Sequence, residues 1–316
     1  MDGFRGGMIG NRRRISLFLA ATLISCGALP IRAAAPANGP RYAAILINPA
    51  THEVLYANGA DRIGHPASIT KIMTLFIAFD ELSAGRLKLT DRIPISRFAA
   101  SQRPSRLGLA PGRSISVDDA IRVIAVKSAN DIAVALAEKI GGTEANFAAM
   151  MTRKARALGM KKTVFVNASG LPDKRHVTTA RDLALLSDAL IRRHPRQYAY
   201  FSQKKFEYEK MQLTNHNKLL GKLPGMDGIK TGYTVDAGFT LAASAVRGGR
   251  RLIAVVLGEP SLAARDRDVT ALLNTGFTVL ERRALGKPTT VAAQLSPVSH
   301  PAIRGLPATE QGSRAR

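Results

Sequence analysis

Apolar residues along this chain fall into distinct rhythms, and each predicts a different kind of element. Residues 42–48 and 53–57 are short apolar runs flanking Pro49-Ala50-Thr51-His52, the pattern of two strands joined by a turn. His65-Pro66-Ala67-Ser68-Ile69-Thr70-Lys71 is followed by an unbroken apolar run, 72–79, with helical periodicity. Proline at a first-turn position presets φ, so a helix is expected from here to about Leu82. Residues 83–113 are rich in Arg, Pro and Ser with little periodicity, and irregular structure with short helices is expected. Ser116-Val117-Asp118-Asp119 is a capping box that opens a helix to about Lys127. Further helices are expected over 131–139, ended by Gly141-Gly142, and over 144–158, ended by Gly159. Another starts at the capping box Thr179-Ala180-Arg181-Asp182 and runs to about Arg192.

The last third changes period. Residues 228–234, 239–246 and 252–257 read as strands, with Gly248-Gly249 making a tight hairpin between the second and third. Pro260 ends the third run, and 262–280 reads as a terminal helix. Two early and three late strands, with helices between and after, predict an α+β fold. Its form is an antiparallel five-stranded sheet flanked by helices, plus a separate helical lobe. From residue 284 the periodicity ceases and Pro288, Pro297, Pro301 and Pro307 recur, so 284–316 is expected to be a disordered tail.

The N-terminus has another purpose. Arg12-Arg13-Arg14 precede an apolar segment, 15–29, and small residues follow at Ala33, Ala34 and Ala35. That is the layout of an export signal over 1–35, too short and interrupted for a membrane span. Leu23-Ile24-Ser25-Cys26 also resembles a bacterial lipobox, so cleavage near Ala33 to Ala35 is favoured over lipidation at Cys26. Cys26 is the only cysteine, so the exported body from residue 36 has no thiol for disulfides or cysteine catalysis. An extracytoplasmic, periplasmic location follows, with any membrane tether supplied by the signal segment, a lipidated Cys26 or surface charge.

Charge adds a constraint on partners. The chain has 46 basic and 23 acidic residues, a formal +23. Residues 1–35 carry five arginines against one aspartate, and the stretch from Glu281 carries six basic against two acidic residues, so +15 lies on the body. Such a body favours anionic surroundings. No recognition-helix pattern or aromatic-interleaved basic strand is present, so no nucleic-acid partner is expected; no metal-ligand spacing occurs either.

Three short segments carry candidate chemistry. Ser68 and Lys71 are spaced i, i+3 and share a helix face. A serine hydroxyl needs a base, and a lysine among apolar neighbours can lose its preference for the charged form and accept that proton. Ser128-Ala129-Asn130 lies between two expected helices, where a hydroxyl and a carboxamide can be turned into a cleft. Lys230-Thr231-Gly232 lies in a strand, and a glycine there lets an extended ligand approach the backbone. Taken singly, each has a plain structural explanation: a solvated helix face, a capped linker, a protected edge strand.

Ser-x-x-Lys, Ser-x-Asn and Lys-Thr-Gly in this order resemble the signature of penicillin-binding proteins and class A β-lactamases. Over residues 42–280 the chain is more specifically similar to the D-alanyl-D-alanine carboxypeptidases, the low-molecular-mass penicillin-binding proteins. Asn167-Ala168-Ser169-Gly170-Leu171, and Asp227-Gly228-Ile229-Lys230-Thr231-Gly232-Tyr233-Thr234 with Ala237-Gly238, extend the resemblance. It implies a DD-peptidase catalytic domain over 36–283 that removes the terminal D-alanine from peptidoglycan stem peptides and is acylated by β-lactam antibiotics. It implies that Ser68 is the acylated nucleophile, Lys71 its base, and Ser128 with Asn130 the proton relay and substrate guide. Lys230 and Thr231 would hold the substrate, while backbone N–H groups of Ser68 and Tyr233, with Gly232 between motif and hole, would stabilise the oxyanion. Arg265 matches the place of an arginine for the terminal carboxylate, with Arg267 a nearby competitor. Tyr233 stands where many relatives have histidine. No further β-rich domain and no C-terminal amphipathic anchor are expected.

Other readings stay in view. A β-lactamase would need a carboxylate to activate water, and neither Glu138 nor Glu144 lies in a loop like that of class A enzymes. An endopeptidase cutting D-amino-acid crosslinks would use the same residues, and a wall-binding module would keep the fold without turnover. His65, His176 and His216 lie near the motifs, but serine–lysine chemistry needs no histidine, and loop hydrogen bonding is the expected role. No cofactor is expected.

Overall fold

The computed structural model describes residues 41–295. In chain order the elements begin with β1 (Ala43–Asn48), β2 (Glu53–Asn58), a 3₁₀ turn (Ala67–Thr70) and α1 (Lys71–Ser83). Then come β3 (Arg92–Pro94), α2 (Arg97–Ala100), β4 (Ser114–Ser116), α3 (Val117–Val126), α4 (Asn130–Gly141), α5 (Glu144–Ala157) and α6 (Ala180–Arg193). A second 3₁₀ turn (Gln197–Ser202), β5 (Lys205–Tyr208), β6 (Met211–Thr214), β7 (Met226–Thr234), β8 (Gly238–Arg247), β9 (Arg250–Glu259), α7 (Leu262–Ala284) and α8 (Val291–Gln294) complete the described chain.

The expected five-stranded sheet forms, in the order β2-β1-β9-β8-β7, with every neighbouring pair antiparallel. Period-2 alternation divides its residues between two cores. Ala43, Ile45, Ala242, Val255 and Leu257 join the core built with the helical lobe. Ala44, Leu46, Leu241, Ala243, Ala254 and Val256 join a second core with Val269, Leu272, Leu273 and Phe277 of α7. Both faces are therefore covered, which is why these strands read as continuous apolar runs instead of alternating ones. Burying a large aliphatic side chain stabilises by about 1.5–3 kcal/mol, so the sheet centre contributes heavily.

At the middle of the first core lies α1, whose residues 71–79 are all buried. A helix apolar on every side must be enclosed by others. Here α3, α4, α5 and α6 enclose it. Both N-caps form: the Ser116 hydroxyl accepts from Asp119 N, and Thr179 Oγ1 accepts from Asp182 N.

Several elements depart from expectation. The Ser68 segment begins as a 3₁₀ turn, because Ala67 takes φ +48 and the first bonds close at i+3, Ile69 N to Pro66 O. The β3–β4 ladder has three residues per strand, too few to show a period. In the β5–β6 hairpin, Glu209 takes φ +49 at a turn lacking the usual Gly or Asn. Residues 284–295, expected to be part of a disordered tail, are ordered: Val291 of α8 and the following Leu295 pack into the second core. The export signal, Cys26 and residues 296–316 lie outside the described residues.

Candidate active site

The site sits where β7, the free edge of the sheet, meets the 3₁₀ turn ahead of α1. This approach is close enough to require glycine. A Cβ on Gly232 would lie 2.9 Å from Ser68 N and 2.6 Å from Thr240 Oγ1. From the other side Gly170, at φ +81, lies so near Ala67 that a Cβ would collide with its carbonyl. Ala67 itself is held at positive φ, a conformation that costs of order 1 kcal/mol and persists only where its surroundings fix it.

Lys71 is wholly buried, and its ammonium nitrogen has three partners. Nζ lies 2.9 Å from Ser68 Oγ, 2.7 Å from Asn130 Oδ1 and 2.5 Å from the Ser169 carbonyl. Two of these are oxygens that only accept; the Ser68 hydroxyl alone can also donate. Burial, with the nearby Lys230 cation, drives the Lys71 pKa well below the ordinary lysine value, and Asp131 opposes the shift. The expected i, i+3 pairing of Ser68 and Lys71 is thus present as a direct contact.

The α3–α4 junction brings the second motif into place. Ser128 takes φ +62 between the helices; it is 3% exposed, and its hydroxyl has no hydrogen-bond partner among the described residues. Asn130 begins α4 and spans the cleft wall: Oδ1 accepts from Lys71 and Nδ2 donates to the Arg103 carbonyl at 2.9 Å. Next to it, Asp131 accepts from Leu107 N and Gly108 N, tying down the aperiodic loop that forms one lip. Ser105 adds a bond from its hydroxyl to the Lys127 carbonyl.

These parts enclose a cavity of about 380 Å³, lined by Ser68, Ser128, Asn130, Thr231, Gly232, Tyr233 and Arg265 among others. Lys71 and Lys230 stand behind the wall and act through hydrogen bonds and field. Burial, then the Arg265 cation, lowers Lys230 to about 7. Arg265 is 3% exposed and turns Nε and Nη2 to Asp266 Oδ1 at 2.9 and 2.6 Å. Arg267 does not line the cavity; its Nε lies 3.4 Å from Asp268 Oδ1. Tyr233 is 55% exposed at the rim, its ring 4.3 Å from that of Phe239. No Asp or Glu lines the cavity among the described residues.

The histidines divide. His176 accepts from Val166 N at Nδ1, so its proton sits on Nε2, which donates to Thr70 Oγ1 at 2.9 Å. Burial lowers it to about 4. His65 bonds the His176 carbonyl through Nδ1, so both serve loop structure, as expected. His216 instead lines the cavity; burial and four surrounding lysines, Lys230 foremost, hold it neutral, at about 4. Its position comes from Asn217, which bonds the Gly228 carbonyl, and Asn215, which bonds the Gln203 carbonyl. That bracketing pair of asparagines was the available sequence signal. The Ser169 carbonyl had only an indirect one: Asn167 Oδ1 accepts from Ser169 N and Gly170 N, an Asx turn aiming that carbonyl at Lys71.

A five-stranded antiparallel sheet with a serine–lysine pair between its edge and a buried helix defines a penicillin-binding, DD-peptidase type of fold. The chain belongs to the D-alanyl-D-alanine carboxypeptidase family, Peptidase S11, whose family model matches residues 32–261. It is 37% identical over 263 residues to the D-alanyl-D-alanine carboxypeptidase DacF of Bacillus subtilis, covering 80% of this chain and 66% of that protein. To DacC of Escherichia coli it is 38% identical over 251 residues, covering 77% and 63%. The chain thus spans just under two thirds of the length of these relatives. Among solved structures, penicillin-binding protein D2 of Listeria monocytogenes with cefotaxime bound superposes with a TM-score of 0.69 at 34% identity, covering 74% of this chain and 96% of that one.

Proposed function

We propose that this chain is a serine-type D-Ala-D-Ala carboxypeptidase that removes the terminal D-alanine from peptidoglycan stem peptides in an extracytoplasmic compartment. The observation that carries the reading is the Lys71 environment. When Lys71 is neutral, its two N–H groups satisfy Asn130 Oδ1 and Ser169 O, and its lone pair is left facing the Ser68 hydroxyl. Ser68 Oγ gives its proton to Lys71 Nζ and attacks the carbonyl of the penultimate D-alanine. The tetrahedral oxyanion is held by the backbone N–H groups of Ser68 and Tyr233, each such donor typically worth about 10²–10³ in turnover. The C–N bond then breaks, and the departing amine takes the proton held by Lys71 through the Ser128 hydroxyl, which has no partner among the described residues. Water hydrolyses the Ser68 ester, and Ser68 regains its proton.

The terminal carboxylate is held at the cationic end of the cavity. Arg265 lines it there, and Lys230 contributes charge from behind the Thr231 wall. Asn130 and Thr231 guide the peptide, and Gly232 keeps the strand close to Ser68. The same serine, Ser68, would be acylated by β-lactams, a reading supported by a relative with cefotaxime bound. An acid-free cavity lining disfavours a β-lactamase, which uses a carboxylate to activate water. Incubation with isolated peptidoglycan fragments tests the reading: released free D-alanine supports it, whereas cleaved crosslinks without D-alanine would make the protein an endopeptidase.

A further inference from the structure

The corner between β9 and α7 carries a buried pair of acids that the reaction does not use. Glu259 closes β9, pairs through its backbone with Phe239 in the cavity wall, and is 1% exposed. Neither of its carboxylate oxygens meets a donor among the described residues. What its side chain meets is the carboxyl of Asp268, itself buried, on the second turn of α7. The other titratable or charged groups facing them are Tyr42 just ahead of β1, Tyr56 from β2 and Arg267 from α7. Two ionised carboxylates in such a place would repel with nothing to neutralise both, whereas one shared proton turns the contact into a hydrogen bond. Burial first, then Asp268, accordingly holds Glu259 protonated up to about 9.

The position of this contact gives it a role. Asp268 follows Arg265 by three residues, so the two sit a turn apart on the same helix face. Ser261 caps the helix by accepting from Ala264 N, but the cap fixes only the first turn. We infer that Glu259 and Asp268 share one proton across the β9–α7 corner and thereby position Arg265 for the substrate carboxylate, an inference that rests on the role proposed above for Arg265. Glu259 is then a positioning residue. As pH rises through about 9, Glu259 loses the proton, the two carboxylates repel, and the corner that aims Arg265 loosens.

The test compares kcat/KM on a peptide ending in D-Ala-D-Ala with that on its C-terminal amide, for wild type, Glu259→Gln, Glu259→Ala and Arg265→Ala. Glutamine donates to Asp268 at every pH, so Glu259→Gln is expected to fold and to keep the wild-type KM near neutrality. On the free-carboxylate peptide the wild-type KM should climb through pH about 9, and Glu259→Gln should lack that rise. Glu259→Ala, where it folds, should raise KM for the free-carboxylate peptide by roughly tenfold, a small misplacement being enough to do so. The amide should show neither effect. A carbon-13 titration of the Glu259 carboxyl, identified by its absence from Glu259→Gln, reads the proton without any substrate. An ordinary carboxylate titration near about 4 would overturn the shared proton. A KM rise centred at about 9, above the Lys230 limb at about 7, that Glu259→Gln retains, or a costly Arg265→Ala beside a neutral Glu259→Ala, would overturn the positioning role. If Arg265→Ala is itself neutral on both substrates, the carboxylate reading fails and takes the positioning role with it, while the titration still decides the shared proton.

Discussion

Lys71 Nζ and Ser68 Oγ lie 2.9 Å apart, and of the three groups that Lys71 touches only this hydroxyl has a proton to give. In the proposed mechanism, base and nucleophile are therefore matched before substrate arrives. Lys71→Ala is expected to slow acylation by a fluorescent penicillin by about 10²–10⁴-fold, the usual contribution of a positioned base. Stopped-flow labelling, with circular dichroism to check the fold, measures this. An unchanged acylation rate would remove Lys71 from the mechanism.

Gly232 should be as sensitive as the catalytic side chains although it has none. A methyl group 2.9 Å from Ser68 N must push β7 away from the turn that carries the N–H proposed for the oxyanion hole. Gly232→Ala is expected to cost about 10²-fold or more in turnover while leaving the sheet formed. Kinetics beside a thermal melt separate the two effects; a loss of activity matched by a collapse of Tm would make the glycine purely structural.

Lys230 sets a pH dependence whose sign can be worked out. Its pKa is depressed to about 7 by burial and by Arg265, so the cation is present below that value and lost above it. The free enzyme should bind a carboxylate-ended peptide more weakly as pH rises through about 7, and kcat/KM should show an alkaline limb there. Bound carboxylate favours the charged lysine, so kcat should fall at higher pH than kcat/KM. Lys230→Gln should lower kcat/KM and abolish this limb; a limb unchanged in that variant would assign it to another group.

How much of this was legible beforehand depended on whether the signal was local. The N-caps at Ser116 and Thr179 and the apolar runs of β1, β8 and β9 are short-range patterns, and all appear where expected. Ser68 and Lys71 needed only helical spacing. The 3₁₀ start of that segment was hidden, because Ala67 has no intrinsic preference for positive φ and takes it under pressure from Gly170 and β7. The Ser169 carbonyl that holds Lys71 is a backbone group from 98 residues away. Backbone groups carry no side-chain signature. Lys230 was expected to hold substrate, yet it stands behind the cavity wall, a depth that strand periodicity cannot report. The Glu259–Asp268 contact joins two acids across a strand–helix corner, and charge patterning would have placed both on the surface.

In the proposed role, Arg265 separates exopeptidase from endopeptidase action. A guanidinium lining the cavity gains most from a free terminal carboxylate, whereas an amide at that position offers it little. Arg265→Ala should cost about 1.5–3 kcal/mol on a D-Ala-D-Ala peptide, roughly ten- to a hundredfold in kcat/KM, and little on the C-terminal amide. Equal losses on both substrates would make Arg265 structural.

The central claim, that Ser68 forms an acyl-enzyme, is open to one direct measurement. Intact-mass spectrometry of the protein quenched during reaction with penicillin, followed by peptide mapping, should find a single adduct on the peptide containing Ser68. In Ser68→Ala that adduct should vanish. An adduct on another residue, or one that persists in Ser68→Ala, would contradict the account.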